Sequence, residues 1–149
     1  MNFRHVRFAG WLIAVMAMLA GLMPQTASRA ETSLSPGIIG KTWRWVSFIS
    51  PVEKVMVDAS DRYTIEFMAD GSVAIGADCN RAMGSFTVSA DRRISFGQLA
   101  TTRALCPEGS LSDRYLRELS RVNSYFQKDG DFFLELPFDS GTLRFTVKP

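Results

Sequence analysis

The sequence predicts a mainly β fold of the α+β class: a small antiparallel, barrel-like sheet with one amphipathic helix packed against it. Three observations support this prediction. Short segments of alternating apolar and polar residues recur roughly every eight to twelve residues, a spacing typical of small barrels and sandwiches. Only one segment has helical spacing, and strands do not alternate with helices as a parallel sheet requires. The 149 residues, 46% hydrophobic and 21% charged, suit one globular domain.

The first predicted strand covers residues 41–49. Trp43, Trp45 and Ile49 lie on one side of it, which we expect to face the core. The opposite side carries Thr42, Arg44, Val46 and Phe48. A charged connection over residues 51–62 then leads to the next strand.

A β-hairpin is expected after this connection. Residues 63–68 alternate in polarity, Asp70 and Gly71 form a turn, and the alternation resumes at residues 73–75. An Asp-Gly pair between alternating segments is a strong signal for a tight bend. Two further short strands are predicted at residues 86–88 and 94–96.

The single predicted helix covers residues 110–122. Five apolar residues recur there at helical spacing, with arginine and glutamate on the opposite side; they are Leu111, Tyr115, Leu116, Leu119 and Val122. Three strands follow, at residues 124–127, 132–136 and 143–147. Strands before and after one helix, joined by short turns, favour a sheet that curls over the helix or closes into a barrel.

Residues 1–30 have the pattern of a secretory signal peptide. Arg4 and Arg7 lie at its start, residues 8–23 are uncharged and largely apolar, and Ser28-Arg29-Ala30 ends in small residues before the expected cleavage point. The alternative is an uncleaved membrane anchor, but this apolar stretch is shorter than the roughly 20 residues needed to span a bilayer. We therefore expect a single mature domain, residues 31–149, that is soluble and periplasmic or secreted, without stable membrane insertion.

The leader also changes the charge and the available chemistry. It contains three of the 17 basic residues, none of the 15 acidic residues, and the only histidine, His5. A nearly neutral mature chain has no clustered positive field with which to bind nucleic acid. Without histidine, catalytic triads that depend on it and zinc sites built on it are excluded. We expect no metal, no cofactor and no enzymatic activity.

Two cysteines, Cys79 and Cys106, remain in the mature chain. In an oxidising compartment, an even number of cysteines in a small domain usually forms a disulfide. A redox-active or metal-binding pair is the alternative, but thioredoxin-like sites place their cysteines three positions apart and structural zinc sites need four ligands. We predict a structural bridge.

Several motifs around these cysteines resemble a known family. The stretches are Asp78-Cys79-Asn80-Arg81, Gly84-Ser85-Phe86, Phe96-Gly97-Gln98-Leu99-Ala100 and Thr101-Thr102-Arg103-Ala104-Leu105-Cys106-Pro107. They are similar to the META domain of the HslJ heat-shock family, and the resemblance extends over roughly residues 39–147. It implies a small barrel-like domain with a packed helix, found in envelope proteins of Gram-negative bacteria and linked to stress tolerance, with no established enzymatic activity.

The expected bridge would bring Asp78, Asn80, Arg81 and Arg103 together as a polar cluster of both signs. This cluster is the candidate binding patch. The alternative is a purely local role for these residues. In that case Asn80 occupies a left-handed turn or bonds its own backbone, and Arg103 neutralises Asp78.

Three functions remain open at this stage. The first is a monomeric, secreted, non-enzymatic envelope-stress domain that binds a protein or envelope component through its exposed polar surface. The second is a lipocalin-like carrier of a small apolar ligand in the barrel interior, lined by Trp43, Trp45, Phe67, Phe86, Phe96, Phe132, Phe133 and Phe145; the same residues would otherwise fill the core. The third, a carboxylate hydrolase, is weaker because Asp70, Asp91 and Asp129 all lie at predicted turns.

Overall fold

The computed structural model describes residues 34–148, so the predicted leader lies outside the described residues. This part of the chain contains ten strands and one α-helix, α1 (Ser112–Leu119), with short 3-10 turns at Ser60–Arg62 and Pro137–Asp139. The strands are β1 (Thr42–Ile49), β2 (Lys54–Met56), β3 (Tyr63–Phe67), β4 (Ser72–Ala77), β5 (Asn80–Val88), β6 (Ile94–Phe96), β7 (Ala100–Thr101), β8 (Ser124–Lys128), β9 (Asp131–Glu135) and β10 (Thr142–Val147). The predicted mainly β class with one helix is confirmed.

The strands form a nearly closed antiparallel barrel. Their order is β6-β5-β4-β3-β1-β10-β9-β8, while β2 adds to β1 and β7 adds to β5. The two ends of this order meet at a single bridge between Arg93 and Ser124. Beside it, the amide of Ile94 donates to the carbonyl of Asn123 at 3.1 Å, and that of Tyr125 donates to the carbonyl of Arg92 at 3.1 Å. The barrel therefore closes along a short seam.

A β-bulge in β1 changes which side chains face the core. Trp45 pairs with Phe145, but Ser47 pairs with Arg144, so one extra residue is inserted between these two pairs. The bulge reverses the alternation beyond it. Phe48 is consequently buried and Ile49 is 48% exposed. The prediction that Ile49 faces the core, and Phe48 the outside, was wrong.

The helix packs its apolar face into the barrel. It is shorter than predicted, but Tyr115 and Leu119 are fully buried as expected. The ring of Tyr115 stacks on Trp45, with ring centroids 4.8 Å apart and ring planes 12° apart. Within residues 34–148, no helix combines the length and apolarity needed to span a membrane.

A second group of aromatic rings fills the barrel interior around Phe132. Phe132 lies at the centre, with ring centroids 5.3 Å from Trp43, 5.5 Å from Phe67 and 5.9 Å from Phe145. Phe133 faces outward instead and stacks on Phe126 at 4.5 Å. Most of the aromatic residues that a carrier would need as cavity walls therefore contact one another.

The segment that leads into β1 lies beside the end of β10. Trp43 donates its indole N–H to the carbonyl of Ile38 at 3.0 Å, which fixes the segment before β1. The amide of Lys148, just after β10, donates to the carbonyl of Thr42 at 2.8 Å. Both segments thus meet at the start of β1.

Candidate functional site

Cys79 and Cys106 form the predicted disulfide. Cys79 lies in the turn between β4 and β5, and Cys106 lies in the exposed loop between β7 and α1. The bridge therefore fastens this loop to the sheet. Leu105, next to the bridge, is fully exposed.

Asn80 is buried and joins the bridge region to the helix. Its Oδ1 accepts hydrogen bonds from the amide of Ala104 at 2.8 Å and the hydroxyl of Thr102 at 3.0 Å. Its Nδ2 donates to the carbonyl of Ala104 and to the hydroxyl of Ser112, both at 3.2 Å. Asn80 opens β5, and the left-handed conformation expected for it occurs at Asp78 instead, where φ is 60°.

Asp78 pairs with an arginine that the sequence analysis did not identify. Its Oδ1 accepts a hydrogen bond from Nε of Arg62 at 2.7 Å, and only 4% of its side chain is exposed. The expected pairing with Arg103 was therefore wrong. The hydroxyl of Ser110, the guanidinium of Arg62 and the hydroxyl of Tyr63 lower the pKa of Asp78 and keep it ionised, although its burial acts in the opposite direction.

Arg81 is held in place by main-chain oxygens. Its Nη1 donates to the carbonyl of Asp78 at 2.8 Å and to that of Asn80 at 2.9 Å. Arg81 is exposed, so the remaining N–H groups of its guanidinium are accessible from solvent. Arg103 is also exposed, but it lies beyond β7 and does not line the groove that Asp78 and Arg81 share. Of the predicted patch, Asp78 and Arg81 share one surface, Asn80 is internal, and Arg103 stands apart.

The surface shared by Asp78 and Arg81 is a groove of about 520 Å³ on the outside of the barrel, which we call the outer groove. It runs across β3, β4 and β5. Its lining consists of Thr42, Asp61, Arg62, Thr64, Glu66, Ala74, Ile75, Gly76, Asp78, Arg81, Ala82, Met83 and Lys148. Six of these residues come from outward positions of β3, β4 and β5, so no local sequence motif predicts the groove.

Comparison with known proteins agrees with this architecture. The family model of the META domain matches residues 36–148. The chain belongs to the META domain family. Among solved structures, the META domain resembles a protein from Burkholderia xenovorans determined by NMR, with 20% identity, a TM-score of 0.61, and 85% of this chain and 99% of that chain covered. No curated protein matches the sequence at a significant level.

A second solved structure supports the same fold. It is the crystal structure of a DUF4847 family protein from Bacteroides vulgatus, 14% identical, with a TM-score of 0.56 and coverage of 73% of this chain and 93% of that one. At these identities the likeness concerns the fold alone. The META domain family is not known as a family of enzymes.

Two of the aspartates considered for carboxylate chemistry, Asp70 and Asp91, have structural roles at turns in this META domain. Asp70 accepts a hydrogen bond from the amide of Ser72 at 2.9 Å, and Asp91 accepts one from Nε of Arg93 at 2.8 Å. Neighbouring serine hydroxyls lower the pKa of both carboxyls, whereas a general acid needs a raised pKa. Within residues 34–148, no group of three or more His, Cys, Asp or Glu residues has the arrangement of a metal site.

Among the titratable groups of residues 34–148, Tyr115 is the one whose pKa is clearly raised. Complete burial raises the pKa of its hydroxyl well above the ordinary value of 10.0. Its ring is enclosed by the core and does not line the outer groove. The shift therefore reflects desolvation in the core rather than an acid or base placed for catalysis.

Proposed function

We propose that this META domain is an exported, non-enzymatic protein of envelope stress that binds another protein or an envelope component through the outer groove. The contrast between the two faces of the sheet carries the proposal. Packed aromatic rings fill the inner face, as in the contact of Trp43 with Phe132. The outer face holds a groove of about 520 Å³ whose lining mixes charged, hydroxyl and small side chains. A hollow of this size is suited to seating part of a ligand.

The disulfide supports the export that this function requires. Thiols stay reduced in the cytosol, whereas structural bridges persist in the periplasm and outside the cell. Mass spectrometry of the natively expressed protein tests this step. We expect a chain that begins at Glu31 and has no alkylatable thiol. An intact Met1, or two free thiols at Cys79 and Cys106, would contradict export.

Binding through the outer groove is tested by site-specific crosslinking in cells. Met83 lines the groove and is 60% exposed, so a photoreactive benzoylphenylalanine at this position can report on whatever occupies it. We expect discrete crosslinked products from the envelope, identified by mass spectrometry. The charge reversal Arg81→Glu should remove them, because Arg81 lines the same groove.

The controls separate the groove from the rest of the surface. Arg92 is exposed in the turn between β5 and β6 and does not line the groove, so Arg92→Glu should leave the products unchanged. Arg103→Glu tests the neighbourhood of the bridge. Products that persist in Arg81→Glu, or that disappear only in Arg103→Glu, would rule out the outer groove as the binding surface.

A further inference from the structure

We infer that the outer groove takes an extended peptide segment in which an acidic and an apolar side chain are separated by one residue. This inference rests on the proposed function and specifies the chemistry of the partner. The strand register across the groove, the charges around it and the spacing of Arg81 and Met83 support it.

The floor of the groove is low along β4, which directs the small residues Ala74 and Gly76 outward. Gly76 pairs with Thr64 of β3, and Ala74 pairs with Glu66. A Cβ atom added at Gly76 would lie 2.7 Å from Oγ1 of Thr64, so the hydroxyl of Thr64 already covers the backbone at this point. A ligand in the groove therefore rests on the Thr64 side chain beside Gly76 and on the small side chain of Ala74.

The wall on one side of this floor is β5. Arg81 pairs with Gly76, and Met83 pairs with Ala74, so each wall residue stands beside a small floor residue. Alternate residues of a strand are separated by about 6.6–6.8 Å along the chain. An extended peptide has the same spacing between its own alternate side chains. A peptide that runs along β5 can therefore place two successive same-side residues against Arg81 and Met83.

The charge of Arg81 is not neutralised by the protein. Arg62, the other arginine in the lining, is paired with the carboxylate of Asp78. Arg81 instead donates to uncharged carbonyl oxygens. Within residues 34–148, neither Arg81 nor Lys148 takes part in a salt bridge.

The other carboxylates in the lining are Asp61 and Glu66. Asp61 is paired with Arg44 at 3.1 Å, whereas Glu66 accepts a hydrogen bond from the uncharged hydroxyl of Thr42 at 3.2 Å and keeps its negative charge. With Arg44 included, four cations and three carboxylates lie in or beside the lining, which leaves one positive charge in excess. A carboxylate on the ligand supplies the missing counter-charge, because a guanidinium binds carboxylates through parallel hydrogen bonds.

Met83 determines the second requirement. It is the one large apolar side chain of the lining that is exposed, at 60%, since Ile75 is buried. An apolar side chain of the ligand removes part of this surface from water, and the flexible thioether adapts to its shape. For a peptide that runs parallel to β5, the predicted pattern is therefore an acidic residue followed two positions later by an apolar one.

Titration of the isotope-labelled protein with three short peptides tests the inference by NMR. The probe is N-acetyl-Ala-Glu-Ala-Leu-Ala-amide. Its matched controls replace Glu with Gln in one case and Leu with Ser in the other. We expect the probe to shift the amide signals of Thr64, Gly76 and Arg81, and to bind at least fivefold more tightly than either control peptide.

Variants of the protein complete the test. Arg81→Gln should abolish the preference for Glu over Gln, while Arg92→Gln, on a distant turn, should retain it. The same spectra show whether each variant is folded, and the peptide substitutions test the inference without altering the protein. Equal binding of the Glu and Gln peptides, signal shifts outside the groove, or no shifts at millimolar peptide would overturn it.

Failure of this inference and failure of the proposed function are distinguishable. If Arg81→Glu removes the crosslinks at position 83 but the probe does not bind, the groove is the binding surface and its partner is not an acidic extended peptide. If the crosslinks persist in Arg81→Glu, the proposed function itself is wrong. A probe that binds in an Arg81-dependent manner supports both.

Discussion

Tyr115 of the helix lies almost parallel to Trp45 of β1, with ring centroids 4.8 Å apart. This stack joins the only α-helix of the described residues to the sheet, and both rings are fully buried. The hydroxyl of Tyr115 is buried without a hydrogen-bond partner among residues 34–148. The ring therefore stabilises the fold, while the unpaired hydroxyl opposes it.

Tyr115→Phe should keep the stack and remove the unpaired hydroxyl. We expect the free energy of unfolding to rise by about 1 kcal/mol, since an unsatisfied buried polar group costs roughly 1–3 kcal/mol. Tyr115→Ala should lower it by about 3–5 kcal/mol because it leaves a cavity. Urea unfolding of both variants provides the comparison. A large loss of stability in Tyr115→Phe would mean that the hydroxyl has a favourable partner.

Asn80→Ala should destabilise the bridge region although the disulfide remains. The substitution leaves the amide and carbonyl of Ala104 and the hydroxyl of Ser112 without their partner. We expect a loss of about 2–3 kcal/mol in urea unfolding. Asn123→Ala is the control, because the Asn123 side chain makes no hydrogen bond with residues 34–148. Equal losses of stability in the two variants would show that the hydrogen bonds of the Asn80 side chain do not stabilise the fold.

Removal of the bridge should weaken the fold without changing its architecture. Cys79 and Cys106 are 27 positions apart in the sequence. The chain-entropy model gives a loss of about 3.6 kcal/mol for a loop of this length. The double variant Cys79→Ser with Cys106→Ser should retain the circular dichroism of the native protein but unfold at lower urea. Unchanged stability would argue against this entropic contribution.

Asp78→Asn should reduce the dependence of stability on acid. The pKa of Asp78 is lowered in the folded state from its ordinary value of 3.8. Ionised Asp78 therefore stabilises the protein above the unfolded-state pKa, and this contribution is lost as the pH falls through the folded-state pKa. The variant should be less stable than the wild type at pH 7, and the difference should shrink towards pH 2.

Comparison of urea midpoints at pH 7 and at low pH measures this effect. Glu108→Gln is a suitable control, because Glu108 is exposed and makes no salt bridge within residues 34–148. Its acid dependence should match that of the wild type. If Asp78→Asn also kept the full acid dependence, the pairing with Arg62 would contribute nothing to stability.

The sequence predicts those parts of the fold that local chemistry determines. Gly71, which follows Asp70, adopts a φ of 83° that side chains disfavour, and the hairpin of β3 and β4 forms around it. The bulge in β1 was not predictable from the alternation alone. It depends on how Trp45 and Ser47 align with β10, and this alignment lies in a strand about 100 positions away.

In the candidate site, too, the contacts between residues distant in sequence could not be predicted from local patterns. The bridge could be predicted from two cysteines and the expectation of export, but the partner of Asp78 could not be recognised by proximity in sequence. The pairing of β3 with β4 in the hairpin could have identified Arg62 as the partner of Asp78. Because Tyr63 pairs with Ala77, the preceding Arg62 comes next to Asp78, and the amide of Asp78 donates to the carbonyl of Arg62 at 2.8 Å. The outer groove requires the register of three strands at once, which no local pattern specifies.

The hydrogen bond from Lys148 to Thr42 has a consequence for the evolution and engineering of this fold. Since the first and last strands are neighbours, the chain enters and leaves the barrel at the same place. Such a domain can be inserted into a surface loop of a host protein without separating the host residues on either side of the insertion. The start of β1 and the end of β10 can likewise be linked by a short connector, with new ends opened at the tip of the Ser50–Glu53 turn, where Val52 is 91% exposed.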